Sequence, residues 1–248
     1  MSGDVRTELR GPALWVTFDR PEAHNAMTFA MYEALFEACE RADADDAARA
    51  LVLRGAGGKA FVAGTDIAQF AAFESGEDGL RYEAEIDRIV GRLEAVAKPT
   101  VALVDGFAMG SGLALSAACD LRICTPAARF GLPIARTVGN CLSMTNYARL
   151  AALLGEARLK DVVLTARAIE PEEALAIGLA TEVVDDAETR VAELCETLAS
   201  HAPQTMRITK EALRRLRAAG LPDGDDLVRE AYASEDFRTR VAAFLKRA

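Results

Sequence analysis

Two glycine-rich segments, each following a short apolar run, constrain the fold of this chain more than any other feature. They are GGKAFVAGTDI at residues 57–67 and VDGFAMGSGLA at residues 104–114. Glycine permits positive φ and close approach of the backbone to a ligand. Each segment alone is also typical of an ordinary tight turn. Two of them, each leading from a strand into a helix, predict backbone N–H groups placed to bind an oxyanion.

The apolar pattern predicts alternating strands and helices over the first two-thirds of the chain. β-Branched and aromatic runs are typical of strands, whereas apolar residues three and four apart are typical of helices. We predict strands at Ala13–Phe18, Ala50–Arg54, Thr100–Val104 and Leu121–Cys124, and helices at Thr28–Arg41, 80–97 and Gly112–Ala118. Thr28 is a suitable N-cap for the first of these helices.

The last third changes character, because three apolar stripes after Thr181–Val184 predict consecutive helices. The stripes are Val191, Leu194, Cys195 and Leu198; Met206, Leu213 and Leu216; and Phe237, Val241, Phe244 and Leu245. Residues 219–226 are predicted to be a polar link between two helices. The fold class is therefore α/β, with a core at residues 1–190 and a helical segment at residues 191–248.

Composition narrows the classes of function. The 248 residues carry a formal net charge of −9, which disfavours a nucleic acid partner. Five scattered cysteines form no CxxC pair and only two histidines occur, so we expect no disulfide framework and no metal site. The first ten residues lack the apolar region of a signal peptide, and residues 106–119 are too few to span a bilayer. We expect a cytoplasmic protein with no membrane partner.

Two other enzyme classes match the second glycine-rich segment only in part. Gly106, Gly110 and Gly112 are similar to the nucleotide-binding pattern of short-chain dehydrogenases, but no tyrosine in the chain is followed four positions later by lysine. A serine hydrolase built on Ser111 would need the pattern GxSxG, and the flanking positions 109 and 113 are Met and Leu. Both interpretations are therefore disfavoured.

Taken together, the motifs resemble those of the crotonase superfamily, also called the enoyl-CoA hydratase/isomerase family. The matching segments occur in the family's order: RPEAHNAM at 20–27, AFVAGTDI at 60–67, Lys98-Pro99, DGFAMGSG at 105–112, Cys119-Asp120, FGLP at 130–133, LTAR at 164–167 and ALAIGLA at 174–180. The resemblance implies a spiral ββα fold with a C-terminal helical trimerisation segment. It also implies a homotrimer or a dimer of trimers.

The resemblance implies that the substrate is an acyl-CoA thioester, with coenzyme A as part of the substrate and no separate cofactor. The backbone N–H groups of Thr65 and Ser111 would hold the thioester oxygen and stabilise an enolate. The Thr65 side chain is expected to be unused, so that Thr65→Ala would be mild. Other residues expected to contact the substrate or its CoA portion are Ala23, His24, Ala26, Ala63, Asp66, Ile67, Gly110, Pro133 and Ile134.

The two glutamates that hydratases of the family use are expected at positions 114 and 134, which here are Ala114 and Ile134. Neither side chain can transfer a proton, so standard hydration lacks its acid–base groups. Asp66, Glu74 and Glu85 are the other carboxylates considered. We expect Asp66 to fix its loop, and Glu74 and Glu85 to face solvent.

The segment from Arg136 to Asn146 is rich in polar side chains that offer substitutes. Arg136 is a candidate clamp for a substrate carboxylate, and Asn140 is a candidate for positioning a water or an enolate. Cys141 has no base in the sequence to activate it. The alternative is a helix N-terminus at which Asn140 and Ser143 only cap backbone amides.

These features predict an acyl-CoA-thioester-processing enzyme of the enoyl-CoA hydratase/isomerase type. Hydratase or isomerase is the family's default reaction. Decarboxylation or C–C bond chemistry is a reasonable alternative, because both need less proton transfer from the protein. The alternative is a non-catalytic protein that binds CoA thioesters or serves in assembly.

Overall fold

The computed structural model describes residues 4–220 and 224–246. The strands are β1 (Val5–Arg10), β2 (Ala13–Phe18), β3 (Ala50–Gly55), β4 (Ala60–Val62), β5 (Thr100–Val104), β6 (Phe107–Met109), β7 (Leu121–Cys124), β8 (Arg129–Gly131), β9 (Ala168–Ile169) and β10 (Glu182–Val183). The helices are α1 (Phe29–Ala44), α2 (Gly76–Glu94), α3 (Ser111–Ala118), α4 (Met144–Leu154), α5 (Glu156–Thr165), α6 (Pro171–Ala176), α7 (Ala187–Ser200), α8 (Pro203–Ala218), α9 (Asp225–Ala233) and α10 (Glu235–Leu245). The predicted α/β class is confirmed.

A large sheet with the strand order β1-β2-β3-β5-β7-β10 forms the centre of the fold. The pairing of β1 with β2 is antiparallel, and the other pairings in this sheet are parallel. All six residues of β2 are buried, because both faces of the sheet are covered. Leu14 and Val16 point into the main core, whereas Trp15 packs with Val191 and Cys195 of α7 on the opposite face.

A smaller sheet, ordered β4-β6-β8-β9, brings the two glycine-rich turns together. Strands β4 and β6 are parallel, so their carboxyl ends lie side by side. Gly64 and Gly110, which follow these ends, both have positive φ, and a Cβ added to Gly110 would lie 3.6 Å from the Cα of Gly64. The turns after the two strands therefore face each other.

The C-terminal helices fold back over the same part of the molecule. Helix α9 packs on α2, and α10 packs on the 3₁₀ helix Ile67–Ala72. The contact with α9 requires glycine in α2, because a Cβ at Gly79 would lie 2.2 Å from Cγ of Tyr232. Tyr232 and Phe237 are accordingly part of the main core.

Several predicted boundaries differ from the structure. Thr28 caps α1 as predicted, with its hydroxyl accepting a hydrogen bond from Met31 N. The helix predicted at 80–97 begins earlier, at Gly76, where Asp78 accepts a hydrogen bond from the amide of Ser75. The boundary predicted at residue 190 falls inside α7.

The stripe of Met206, Leu213 and Leu216 lies on α8, which confirms the predicted helix, and it is not covered within the single chain. No residue of α8 is buried, and Leu216 is 74% exposed. The predicted link at 219–226 lies partly outside the described residues, at 221–223. Within the described residues, no helix is both long and apolar enough to cross a membrane.

Candidate active site

The two facing turns open onto a cavity of about 480 Å³. Its walls also include residues from α2, α3 and the segment that leads into α4. Most of the residues predicted for the site line it: Ala23, His24, Ala26, Ala63, Thr65, Asp66, Ile67, Gly110, Ser111, Ala114, Pro133, Ile134 and Asn140. A second cavity, of about 660 Å³, lies beside β1 and β2 and includes neither turn.

Two backbone amides at the cavity wall have no hydrogen-bond partner among the residues that the structure describes. Ser111 is the first residue of α3, so its N–H has no acceptor within the helix. On either side of Thr65, the amide of Met27 donates to the carbonyl of Gly64, and the amide of Asp66 donates to the carbonyl of Met27. This pairing does not use the amide of Thr65. In the described part of the chain, neither Thr65 N–H nor Ser111 N–H donates a hydrogen bond to protein. Both amides are available to an acceptor in the cavity.

The hydroxyl of Thr65 bridges two buried tyrosines. Its Oγ1 lies 2.7 Å from the hydroxyl of Tyr32 and 2.7 Å from that of Tyr82. The expectation that this side chain is unused is therefore wrong. It ties the turn to α1 and α2, and its removal would leave two buried hydroxyls without this partner.

Ala114 and Ile134 form apolar parts of the wall. They are 3% and 8% exposed, respectively. Neither offers a group that can move a proton, so acid–base chemistry in this cavity must come from another residue.

Asp66 fixes its loop, as expected. One carboxylate oxygen accepts a hydrogen bond of 2.7 Å from Arg20, and the other accepts from the amide of Ala68 at the start of the 3₁₀ helix. Glu74 is exposed and Glu85 is paired with Arg88. Asp66 therefore lines the cavity with its carboxylate already held, whereas Glu74 and Glu85 lie outside the cavity wall.

The segment before α4 only partly matches the prediction. Arg136 is exposed and is not part of the cavity wall, so the proposed carboxylate clamp does not reach the site. Asn140 does line the cavity, but it caps no helix, because its Nδ2 donates to the hydroxyl of Tyr232 at 2.9 Å. Ser143 is the cap of α4 and accepts from Asn146 N. Burial raises the pKa of Cys141 to about 12, which keeps its thiol protonated.

Glu83 is the one acidic residue of the cavity wall that sequence reasoning missed. It is 4% exposed. One carboxylate oxygen accepts from Tyr232 Oη at 2.7 Å, and the other accepts from the amide of Ser143 at 2.9 Å. Burial raises the pKa of Glu83 to about 7, and the charge of Asp87 adds to this, whereas the two hydrogen bonds oppose it.

A signal for Glu83 was present in the sequence. The predicted helix carries Ile86, Ile89 and Val90 on its buried face, and Glu83 stands three residues before Ile86 on that same face. A carboxylate at such a position is uncommon unless it has a partner or a function. Within residues 4–220 and 224–246, no cluster of three His, Cys, Asp or Glu side chains is arranged to hold a metal ion.

Comparisons with known proteins all lead to one enzyme family. The sequence model of a family described as enoyl-CoA hydratase/isomerase matches residues 11–245. A short-chain-enoyl-CoA hydratase of Clostridium acetobutylicum is 30% identical over 98% of this chain and 95% of its own length. A crotonyl-CoA hydratase of Syntrophomonas wolfei is 30% identical over 92% of this chain and 90% of its own length. The crystal structure of an enoyl-CoA hydratase/isomerase from Mycobacterium paratuberculosis superimposes with a TM-score of 0.87, at 25% identity, covering 98% of this chain and 99% of that one.

Proposed function

The chain belongs to the enoyl-CoA hydratase/isomerase family, and from this we propose that it processes acyl-CoA thioesters through an enolate. The observation that carries the proposal is the pair of amides Thr65 N–H and Ser111 N–H on facing turns of one cavity, which donate to no acceptor within residues 4–220 and 224–246. When a C–H bond beside the thioester carbonyl breaks, negative charge moves onto the carbonyl oxygen. Two fixed donors aimed at that oxygen stabilise the charge as it develops.

The sequence places these donors without using side chains. Glycine at position 64 adopts a φ of 122° and glycine at position 110 a φ of 57°, conformations that L-residues rarely adopt. The N-terminus of α3 adds a favourable dipole beside Ser111. Because the donors are main-chain groups, they are independent of the residues at positions 114 and 134.

The CoA portion of the substrate is proposed to lie along the first turn. Ala23, His24 and Ala26 would contact the pantetheine and ribose, and Ala63 and Ile67 the adenine. All five residues line the cavity. His24 is exposed, which suits a position at the mouth of the cavity.

A second question is which reaction the protein catalyses on its thioester substrate. The relatives named as hydratases favour an enoyl-CoA or a related acyl-CoA as substrate. The apolar side chains of Ala114 and Ile134 favour a reaction other than two-carboxylate hydration, such as a double-bond shift or a decarboxylation. Apolar residues at these two positions are also expected in a protein that binds CoA thioesters without catalysis. The experiment must therefore measure turnover and binding separately.

We also propose that the protein is a homotrimer or a dimer of trimers. Helix α8 carries Leu213, which is 62% exposed, and Leu216. Apolar side chains exposed along one helix are typical of a surface covered by another subunit. Light scattering coupled to size-exclusion chromatography measures the mass directly, and a mass of 26.5 kDa would contradict assembly.

The central experiment follows exchange of the α-protons of butyryl-CoA in D₂O by mass spectrometry. Exchange requires only an enolate and one proton-transferring group, so it is independent of the physiological reaction. We expect saturable exchange that the protein accelerates. Binding of butyryl-CoA without exchange would favour the non-catalytic alternative, and absence of binding would overturn the proposed function.

A further inference from the structure

We propose that Glu83 is the catalytic residue that takes a proton from the acyl-CoA substrate and returns it. The inference rests on the proposed function. It assigns the proton chemistry to α2, away from positions 114 and 134.

The first support is the inventory of acids in the cavity. Among the described residues that line it, the carboxylates are Asp66 and Glu83. Asp66 is held by Arg20 and by the amide of Ala68. Glu83 has no such ion pair with a described Lys, Arg or His, and no cation offsets the cost of its burial. It is therefore the carboxyl group in this cavity that is free to change its charge.

The second support is position. Tyr82 precedes Glu83 in α2, and its hydroxyl lies 2.7 Å from Thr65 Oγ1 in the turn that carries one proposed oxyanion donor. Glu83, Thr65, Ser111 and Ala114 all line the same cavity. Glu83 and the residues that carry the two amides therefore line one cavity.

The third support is that a purely structural role does not require a carboxylate. The hydrogen bonds of Glu83 join α2 to α9 and to Ser143. Glutamine meets the same needs once the amide of Asn140 is turned over. The glutamine carbonyl then accepts from Ser143 N–H, its amide donates to the Tyr232 oxygen, and the Tyr232 hydroxyl donates to Asn140 Oδ1, which has no hydrogen-bond partner among the described residues. Glutamine does so without the cost of a buried ionisable group. An acid at this position is explained by proton transfer.

The surroundings suit that role. Several titratable groups surround Glu83. They are Tyr32 on α1, Tyr82 and Asp87 on α2, Cys141 before α4, Tyr147 on α4 and Tyr232 on α9, with Arg149 acting on Asp87. The tyrosines and Cys141 have raised pKa values and are neutral at pH 7. With its own pKa near 7, Glu83 populates both its charged and its neutral form at that pH.

One carboxyl group completes a 1,3-proton shift. With a 3-enoyl-CoA, ionised Glu83 takes a proton from C2 as that C–H bond breaks. The electron pair enters a dienolate whose oxygen is held by the amides of Thr65 and Ser111. The carboxylic acid then returns the proton to C4, which leaves the double bond between C2 and C3. No water, oxidant or second carboxylate is consumed.

The test compares wild type with Glu83→Gln and, as the matched control, Glu85→Gln, the same change on the exposed side of α2. Isomerisation of 3-hexenoyl-CoA is followed by the absorbance of the conjugated product, and binding of hexanoyl-CoA is measured by calorimetry. We expect Glu83→Gln to lose at least about 100-fold in kcat while the Kd for hexanoyl-CoA stays within about threefold. Glu85→Gln should keep both values.

The outcomes separate the two proposals. Isomerisation by Glu83→Gln at the wild-type rate would overturn the role of Glu83 and leave the proposed function intact. If wild type binds hexanoyl-CoA but moves no proton in either 3-hexenoyl-CoA or butyryl-CoA, both proposals fail. Glu83→Asp keeps the carboxylate, so restoration of part of the lost rate in this variant supports the assignment independently of the stability of the glutamine variant.

Discussion

The hydroxyl of Tyr232 donates a 2.7 Å hydrogen bond to Oε1 of Glu83, across 149 residues of sequence. The same hydroxyl accepts from Asn140 at 2.9 Å. The C-terminal helix α9 thus orients a carboxylate in the wall of the cavity. The segment beyond residue 190 is part of the site, in addition to any role in assembly.

Removal of this hydroxyl should change the pH dependence of activity. The hydrogen bond from Tyr232 lowers the pKa of Glu83, so Tyr232→Phe should raise it further. If ionised Glu83 is the base, kcat/KM rises with pH through that pKa, and its midpoint should move upward by roughly half to one pH unit. Tyr147→Phe is the control, because Tyr147 makes no hydrogen bond to Glu83. An unchanged midpoint in Tyr232→Phe would contradict the prediction.

Glu83 should make stability depend on pH. Its pKa is about 7 in the folded protein against an ordinary value of 4.5, so the folded state binds more protons between these pH values. The contribution of Glu83 to the free energy of unfolding is therefore fully present below pH 4.5. It falls by about 3 kcal/mol as the pH rises to 7.

Urea unfolding at pH 5 and pH 8 measures this effect. Between pH 5 and pH 8, the free energy of unfolding of Glu83→Gln should rise by about 2.5 kcal/mol relative to that of wild type. Glu85→Gln should not, because Arg88 lowers the pKa of Glu85. If the free energy of unfolding changed with pH equally in wild type and Glu83→Gln, Glu83 would not have a raised pKa in the folded protein, and the prediction would be wrong.

Substitutions of Thr65 separate its backbone from its side chain. Thr65→Pro removes the N–H and should reduce kcat by about 100-fold to 1000-fold. Thr65→Ser keeps both the N–H and the hydroxyl and should stay within about threefold of wild type. Thr65→Ala keeps the donor but removes the partner of Tyr32 and Tyr82, so the free energy of unfolding should fall by about 1–3 kcal/mol. Equal loss of activity in folded Thr65→Pro and Thr65→Ala would argue against a backbone donor.

Substitution of two glycines of α2 tests how closely α9 must pack on this helix. A Cβ at Gly79 would lie 2.2 Å from Cγ of Tyr232, whereas a Cβ at Gly91 meets no atom within 4 Å. Gly79→Ala should destabilise the protein by about 1–3 kcal/mol and lower activity by displacing Tyr232. Gly91→Ala should stabilise it by about 0.5–1 kcal/mol through helix propensity. Thermal unfolding and the isomerisation assay measure both effects.

The part of the site made by local backbone was predictable from sequence. The turns at Gly64 and Gly110 need positive φ, which the residue type itself signals, and parallel strand ends bring them together. The assignment of the two donors to Thr65 and Ser111 rested on the resemblance to the crotonase superfamily, because glycine alone does not show which amides face a ligand. The N-cap role of Ser143 was also predictable, because it depends only on the residues next to it in sequence.

What depends on distant packing was not predictable. The helix pattern signals that Glu83 lies on the buried face of α2, but nothing near residue 83 shows that Tyr232 of α9 will be its partner. The hydroxyl of Thr65 is used because Tyr32 and Tyr82 converge on it from two helices. Arg136 fails as a clamp because its side chain faces solvent.

The central claim is that the thioester oxygen rests on the amides of Thr65 and Ser111 beside Glu83. A crystal structure with butyryl-CoA bound tests it most directly. We expect the thioester oxygen within about 3 Å of both amide nitrogens, with C2 of the acyl chain turned toward the Glu83 carboxylate. A thioester oxygen bound elsewhere, with either amide left unpaired, would contradict the account.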